Sequence, residues 1–404
     1  MKKEASIPYS TIAGSLNYWL WRGIGRLAFN RIVVTGKESL PVGGPVLFVA
    51  THRNGALDAA PYALAAPDAV PMISAQLHRL PLGRFLFRGI AVARAKDKAR
   101  GIKADNLGAV EQCVDVLKAG RQLFIMPEGT STLGHRHLPF NRGAARIVGR
   151  AMADGITPSI VPLAVHYEDP TCWQSRAEVL IGEPIRPQTA DEMALQQLIS
   201  DALETVGANF ADVQTQRLAE KLAYACTLGT DRSYARTLKS FERPIPPDLA
   251  DAAHELEQVA KDNALFLHQG LPLVPVGSWP LYPAYWLILA PVILCFSLLN
   301  LPVLTAGYIA GRTLPDDANV VAFWRMAIGL PVALVWLLIV NVAAISMTEP
   351  IRLVCYWAIS AAGIMAWYRF RKLSIALGNG LFRPAVKTVL LQTYRNLLNR
   401  MPHV

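Results

Sequence analysis

Pro45-Val46-Leu47-Phe48-Val49-Ala50-Thr51-His52-Arg53-Asn54-Gly55-Ala56-Leu57-Asp58 is the stretch on which the fold turns. Its first six residues are apolar and of strand length, so they read as a strand buried on both faces. Polar residues follow at once, Asn54 and Gly55 supply a turn, and Gly55–Leu64 reads as a helix. A strand, a polar loop and a helix open a parallel α/β unit. In such sheets the loop leaving the strand is where ligands bind.

The same alternation continues outward. Ala69–Ser74, Ile90–Arg94, Gln122–Met126, Ile160–Tyr167 and Glu178–Ile181 read as further strands. Asn106–Ala119 is an amphipathic helix closed by Gly120, and Arg142–Ala153 is a second helix followed by Gly155. The expected fold is therefore α/β, a mostly parallel sheet covered by helices. From Thr189 to His268 the chain is polar and helix-rich, as over Asp191–Val206, with a break at Pro244–Pro247 and no chemistry that can be assigned.

Composition adds a membrane. Of 404 residues, 52% are hydrophobic and only 17% charged, where soluble domains carry about a quarter charged. Asn263 to Gly311 holds no Asp, Glu, Lys or Arg, and Leu281–Leu299 within it is long enough to cross a bilayer. Met326–Thr348 is a second uncharged stretch and Leu353–Tyr368 a short third. Trp279, Tyr282, Tyr285, Trp286, Trp324, Trp367 and Tyr368 sit near the edges, as interfacial anchors do. Arg369, Arg371 and Lys372 mark a cytoplasmic end, yet three crossings would put that end opposite the α/β domain. A re-entrant hairpin at Asn300 and Pro302, or an interfacial third stretch, would each remove the conflict. Near the N-terminus, Tyr18, Trp19, Leu20 and Trp21 followed by Arg22 and Arg26 suit a helix lying in the membrane interface or, equally, an ordinary packing helix.

The net charge of +10 fits an anionic membrane surface or a phosphorylated ligand. There is no zinc-finger spacing and no run of basic residues interleaved with aromatics, so no nucleic-acid partner is expected. The five cysteines are scattered and never spaced as CxxC, which gives neither a disulfide framework nor a metal site. The N-terminus shows no cleavable signal peptide.

Three loops carry chemistry. In the first, a neutral His52 at a strand end can take a proton from a hydroxyl, and Asp58, folded back by the turn, can orient the ring and stabilise its charged form. A surface histidine and a helix-start aspartate are the structural alternative. In the second, Pro127-Glu128-Gly129-Thr130-Ser131-Thr132 follows a strand, and its free N–H groups and hydroxyls can cradle a phosphate or form a plain turn. The third is basic: Arg84, Arg88, Arg94, Lys96, Lys98, Arg100 and Lys103, against Asp97 alone. Arg94 ends a strand and suits bidentate phosphate binding, while the others read as a solvated or membrane-facing rim. Val161-Pro162-Leu163-Ala164-Val165 is a strand that would shape a pocket wall.

Other motifs fail their context. Gly23-Ile24-Gly25-Arg26-Leu27-Ala28 matches a dinucleotide pattern but follows a helical stretch rather than a strand. Ser131 is not in a nucleophile elbow, since Leu133 stands where Gly is needed. No cysteine sits in an activating setting, which favours direct transfer over a covalent intermediate.

Taken in order, THRNGALD, IAVAR, MPEGTS and IVPLAV resemble the four blocks of the glycerolipid acyltransferases, the enzymes that acylate glycerol-3-phosphate and 1-acylglycerol-3-phosphate. LPFNRGAARI and LIGEPI are also similar, so the resemblance spans roughly 35–186. NLPVL and VVAFWRM look more loosely like a subset with C-terminal spans. The resemblance implies His52 and Asp58 as catalytic residues, and Arg94, Glu128 and Gly129, with Thr130 and Ser131, at the acceptor phosphate. It implies no cofactor, with acyl-CoA or acyl carrier protein as co-substrate. The other partners it implies are a phosphorylated glycerol or lysolipid acceptor and membrane lipids. Five residues separate His52 from Asp58 where the usual motif has four. Thr51 replaces a common Asn, and Ser131 replaces a common Arg.

The expected organisation is an N-terminal interfacial helix (1–34), a catalytic domain facing the cytoplasm (35–186), a helical extension (187–268), a transmembrane region (269–370) and a basic tail (371–404). Another lysolipid acceptor, a lysophospholipid or a lyso-amino-acid lipid, is the alternative within enzymes. A scaffold or transporter without catalysis is the alternative outside them.

Overall fold

The computed structural model describes residues 11–79, 81–94, 97, 99, 101, 105–275, 281–346 and 350–400. The chain divides into two compact units. The first holds residues up to Arg26, Ile32–His166 and Ala177–Asn209; the second holds Leu27–Arg31, Tyr167–Arg176 and the chain from Phe210 onward.

The first unit is organised by a seven-stranded sheet in the order β1-β7-β6-β2-β5-β3-β4. Its strands are β1 Phe29–Thr35, β2 Val46–Ala50, β3 Val70–Ser74, β4 Ile90–Val92, β5 Gln122–Ile125, β6 Ser159–Tyr167 and β7 Ser175–Ile181. Every neighbouring pair from β6 to β4 is parallel, with Val46 opposite both Gln122 and Ser159. β2 is buried along its whole length, which is why it is apolar at each position instead of alternating. Helices Asn106–Lys118, Gly143–Ala153 and Glu192–Val206 pack side by side. Leu47, Leu117, Leu123, Ile147, Ile160, Leu195 and Leu203 are fully buried between helices and sheet. Asp105 and Asp191 start two of these helices by accepting from Gly108 N and Ala194 N.

Two features differ from the sequence reading. Phe29-Asn30-Arg31-Ile32-Val33-Val34-Thr35 is an edge strand, inside a segment read only as helix; α1, Thr11–Ala28, stops before it. One face of α1 packs, with Trp21 and Ile24 buried and Trp21 Nε1 donating to Leu86 O at 3.2 Å, while Leu16 and Trp19 are exposed. The compact unit also extends to Asn209, beyond 186, because Leu195, Ile199 and Leu203 of Glu192–Val206 complete its core.

The second unit is helical. Val213–Thr227, Tyr234–Ser240 and Pro247–Asp262 are followed by a two-stranded ribbon, Leu267–His268 with Leu271–Pro272, then by the apolar helices. Three segments, Leu281–Leu299, Ala318–Ile345 and Ile351–Phe382, are long and apolar enough to cross a membrane. The uncharged stretch in the sequence makes the third short. In the structure it is one helix, Pro350–Phe382, that runs straight through Arg369, Arg371 and Lys372. The expected boundary at 370 therefore falls inside a helix. Trp279 lies outside the described residues.

Contacts within this unit show how the apolar helices run. Leu281–Leu299 lies antiparallel to Pro350–Phe382: Trp286 Nε1 donates to Ser374 Oγ at 3.0 Å, and Asn300 Nδ2 to Ser360 Oγ at 3.0 Å. The helix after Asn300, Leu301–Thr313, lies antiparallel to Val321–Ser346. Its Gly307 and Gly311 abut Arg325, and Trp336 Nε1 donates to Leu299 O at 2.9 Å. Trp336 and Tyr356 thus flank Asn300 at one level, and only a short link joins their helices. The chain therefore doubles back at Asn300, and Leu301–Thr313 returns toward the side from which Leu281–Leu299 came. Asn300 is buried and its amide is fully used: Nδ2 also donates to Phe296 O at 3.1 Å, and Oδ1 accepts from Tyr356 OH at 2.8 Å. Pro302 has no N–H to leave unpaired. Backbone groups freed by the break are thus met by side chains, as a lipid environment requires.

Candidate active site

Parallel strands bring the residues that leave them to one edge of the sheet. β2 delivers Thr51 and His52, β5 delivers Pro127 to Ser131, and β4 delivers Arg94. β6, alongside β2, places Val161, Pro162 and Leu163 in register with Phe48, Val49 and Ala50.

His52 Nδ1 lies 2.8 Å from Asp58 Oδ2. Asp58 has no solvent exposure and also accepts from Arg53 N at 2.7 Å and Asn54 N at 3.0 Å. The loop folds round this carboxylate through a 3-10 turn, Gly55–Asp58, that opens on Gly55 at φ 53°, a left-handed conformation suited to glycine. That turn accommodates the six-residue step from His52 to Asp58. A carboxylate only accepts, so Nδ1 carries the ring proton and Nε2 presents its lone pair. Among the described residues none hydrogen-bonds Nε2, and the side chain keeps 11% exposure, so the atom can be reached.

The backbone of His52 is fixed from the neighbouring loop. His52 N donates to Glu128 Oε1 at 2.8 Å, and His52 O accepts from Thr132 N at 3.1 Å. Glu128 is 4% exposed, and its Oε2 accepts from Leu138 N at 3.2 Å. The resemblance puts Glu128 at a phosphate; in the structure both its carboxylate oxygens accept backbone N–H groups, of His52 and of Leu138, and so hold the His52 loop.

Gly129 takes φ 70°, and a Cβ there would stand 3.2 Å from Asn141 Nδ2, which itself donates to Pro127 O. Gly129 O accepts from Arg94 Nη1 at 2.9 Å, so the second and third blocks do meet. Arg94 is braced from behind: Nε and Nη2 reach Asp97 Oδ2 and Oδ1 at 2.9 and 3.1 Å, and Ser74 Oγ also donates to Oδ2. Burial pushes the Asp97 carboxyl up, but the hydrogen bonds from Arg94 and Ser74 outweigh it and hold the group below the usual range. Thr130 is exposed and Ser131 half-buried. Arg84 Nε donates to His78 O, and Arg88 lies over Phe85. Lys96, Lys98, Arg100 and Lys103 lie outside the described residues.

Three residues that sequence reasoning missed complete the support. In the sequence Asp97 stands out only as the lone acid in a basic run. Tyr62 OH donates to Thr51 O at 2.7 Å and accepts from Val165 N at 3.1 Å, tying the β2 loop to β6. Burial, then the nearby Asp58 charge, push its phenol well above the usual range, so it stays a donor. His137 Nδ1 stands 3.7 Å behind Glu128 Oε1. Asp97 follows Arg94 by three residues, a spacing the sequence does show, whereas nothing local marks Tyr62 or His137. Among the described residues no three His, Cys, Asp or Glu side chains gather as a metal ion requires.

Residues 31–166, the span that holds all of these groups, match the family model described as Acyltransferase. This span is an acyltransferase-family domain. Among solved structures, the chain is similar to the 1-acyl-sn-glycerophosphate (LPA) acyltransferase PlsC from Thermotoga maritima, at 17% identity and a TM-score of 0.37, over 49% of this chain and 81% of that one. No curated protein matches the chain. The acyltransferase match begins inside β1 and ends in β6, so the helix Glu192–Val206 lies beyond it although it completes the same core.

Proposed function

We propose that the acyltransferase domain moves a fatty acyl chain from acyl-CoA or acyl carrier protein to a hydroxyl of glycerol-3-phosphate or 1-acylglycerol-3-phosphate, in phospholipid synthesis. The observation that carries this reading is the His52–Asp58 pair, with Nδ1 held at 2.8 Å and Nε2 left open. The acceptor O–H gives its proton to Nε2 as the oxygen attacks the thioester carbonyl carbon. Asp58 stabilises the imidazolium that forms. The C–S bond then breaks, and the departing sulfur takes the proton from Nε2 and leaves as a thiol. Glu128 holds the histidine backbone in place. Arg94 and the Gly129 turn, braced by Asp97, offer the acceptor phosphate a positive, ordered edge, and fixing that phosphate supplies much of the rate. Arg369, Arg371 and Lys372 support a cytoplasmic location for that end of their helix.

The substitution that favours a second acceptor is Ser131, which stands where the resembled family commonly carries Arg; one fewer cation suits a lysophospholipid or a lyso-amino-acid lipid. Acyl transfer by the purified, solubilised protein tests both readings. Acyl-CoA and acyl carrier protein donors are offered against glycerol-3-phosphate, 1-acylglycerol-3-phosphate and neutral lysolipids. Transfer to a phosphorylated acceptor supports the first reading, and transfer to neutral lysolipids alone replaces it with the second. A folded protein inactive with every pair refutes both.

A further inference from the structure

The second unit contains a polar cluster that the acyl-transfer chemistry does not use. It lies where Tyr167–Arg176, the Leu267–His268 strand and the helix Pro350–Phe382 come together within that unit. Arg176 Cζ and Lys372 Nζ stand 5.1 and 5.3 Å from the ring centre of Tyr368, and Lys372 also lies 5.8 Å from that of Tyr224. Arg371 Nη2 is 3.1 Å from His268 Nε2. Guanidinium only donates, so Nε2 accepts and His268 is the neutral Nδ1–H tautomer, its proton directed at Tyr224 OH, 2.7 Å away. Burial, then the charges of Arg371 and Lys372, hold that imidazole down to about 3.

The carboxylates here do not balance the cations. Glu168 accepts from Tyr368 OH at 2.9 Å and stands 3.6 Å from Arg176. Asp169 caps its own turn, accepting from Thr171 N and Cys172 N. Arg325 Nη1 adds a fourth cation, 2.8 Å from Thr171 O. Among the described residues four cations thus face two acids, and the Nε atoms of Arg176 and Arg371 are shut off from solvent without a hydrogen-bond partner. Buried donors and unbalanced charge of this kind are costly unless an anion completes them. Arg371 lies twenty residues past Ile351 in one helix, roughly 30 Å along its axis, about one hydrocarbon thickness. A hydrocarbon layer that begins at Ile351, where the apolar span starts, ends at Arg371 and sets the cluster at the level of lipid headgroups.

We propose that Arg176, Arg371 and Lys372 form a binding site for a net-negative phosphate group, supplied by an anionic phospholipid headgroup or by free phosphate. Cations at the headgroup level favour the lipid as its source.

Native mass spectrometry of the full chain, purified in detergent, tests this with phosphatidylglycerol, phosphatidylcholine or inorganic phosphate added. The wild type is expected to retain phosphatidylglycerol about tenfold more tightly than phosphatidylcholine, the effect of one or two charge-assisted hydrogen bonds. Arg371→Gln/Lys372→Gln is expected to lose that preference, and the charge-conserving Arg176→Lys to keep most of it. Retained inorganic phosphate without a lipid preference assigns the site to the free ion. Equal retention of both lipids by the wild type with no phosphate bound overturns the proposal however the variants fold. A folded double variant with the wild-type preference overturns it too.

Discussion

His52 and His268 are both buried histidines joined to other side chains, yet their surroundings fit them for opposite work. His52 meets a carboxylate at Nδ1, and its Nε2 has no partner among the described residues. His268 has both nitrogens taken, by Tyr224 and by Arg371, with cations beyond. The first ring can accept a proton because an anion waits to stabilise the charged form. The second is surrounded by positive charge and stays neutral. A histidine becomes a base through what lies behind one nitrogen and what is left open at the other, and burial alone does not distinguish the two.

Four experiments break or sharpen this contrast. His52→Ala removes the base and is expected to lower acyl transfer about ten-thousandfold; turnover near the wild-type rate in a folded variant would end the catalytic reading. Asp58→Asn keeps the shape but lets the ring turn to the wrong tautomer, and should cost about a thousandfold in kcat with KM little changed. A loss confined to KM would make Asp58 part of substrate binding instead. Glu128→Gln replaces the carboxylate that holds His52 N. A shift of about 1 Å in the ring lowers kcat about a hundredfold, and steady-state kinetics showing no change would free His52 from its neighbouring loop.

The smallest effect concerns His268. Its folded value lies near 3, below the ordinary 6.5. Below pH 6.5 the unfolded chain therefore binds a proton that the folded protein refuses, and stability falls as pH drops from about 6.5 toward 3. The slope contributed is at most ~1.4 kcal/mol per pH unit. Thermal midpoints measured across that range should fall less steeply for His268→Gln than for the wild type. Parallel curves would mean that the imidazole is not held neutral.

Much of the α/β unit is legible because parallel strands buried on both faces are plain apolar runs. Val46–Ala50, Val70–Ser74 and Gln122–Ile125 fall within a residue of where the sequence puts them. β1 is not legible: half-buried at a sheet edge and preceded by aromatic helical residues, it merges with α1 in the sequence. In the site, His52 and Asp58 can be read because a turn of known chemistry separates them. Tyr62 and His137 cannot, because each meets a partner distant in the sequence, β6 and Glu128 respectively; Asp97 lies only three residues from Arg94, but the sequence does not distinguish that braced pair from a solvated one. The last apolar helix was read too short for a related reason. Charges usually end a span, but Arg371 lies against His268 and Lys372 over two tyrosine rings, so the helix continues.

The reversal at Asn300 bears on how the chain is made. With Leu281–Leu299 and Leu301–Thr313 returning to the side they started from, two helices, Val321–Ser346 and Pro350–Phe382, are left whose length and composition suit a full crossing. In the sequence only Met347-Thr348-Glu349, with one negative charge, joins those two helices. Two apolar helices joined so closely suit insertion together, as one hairpin.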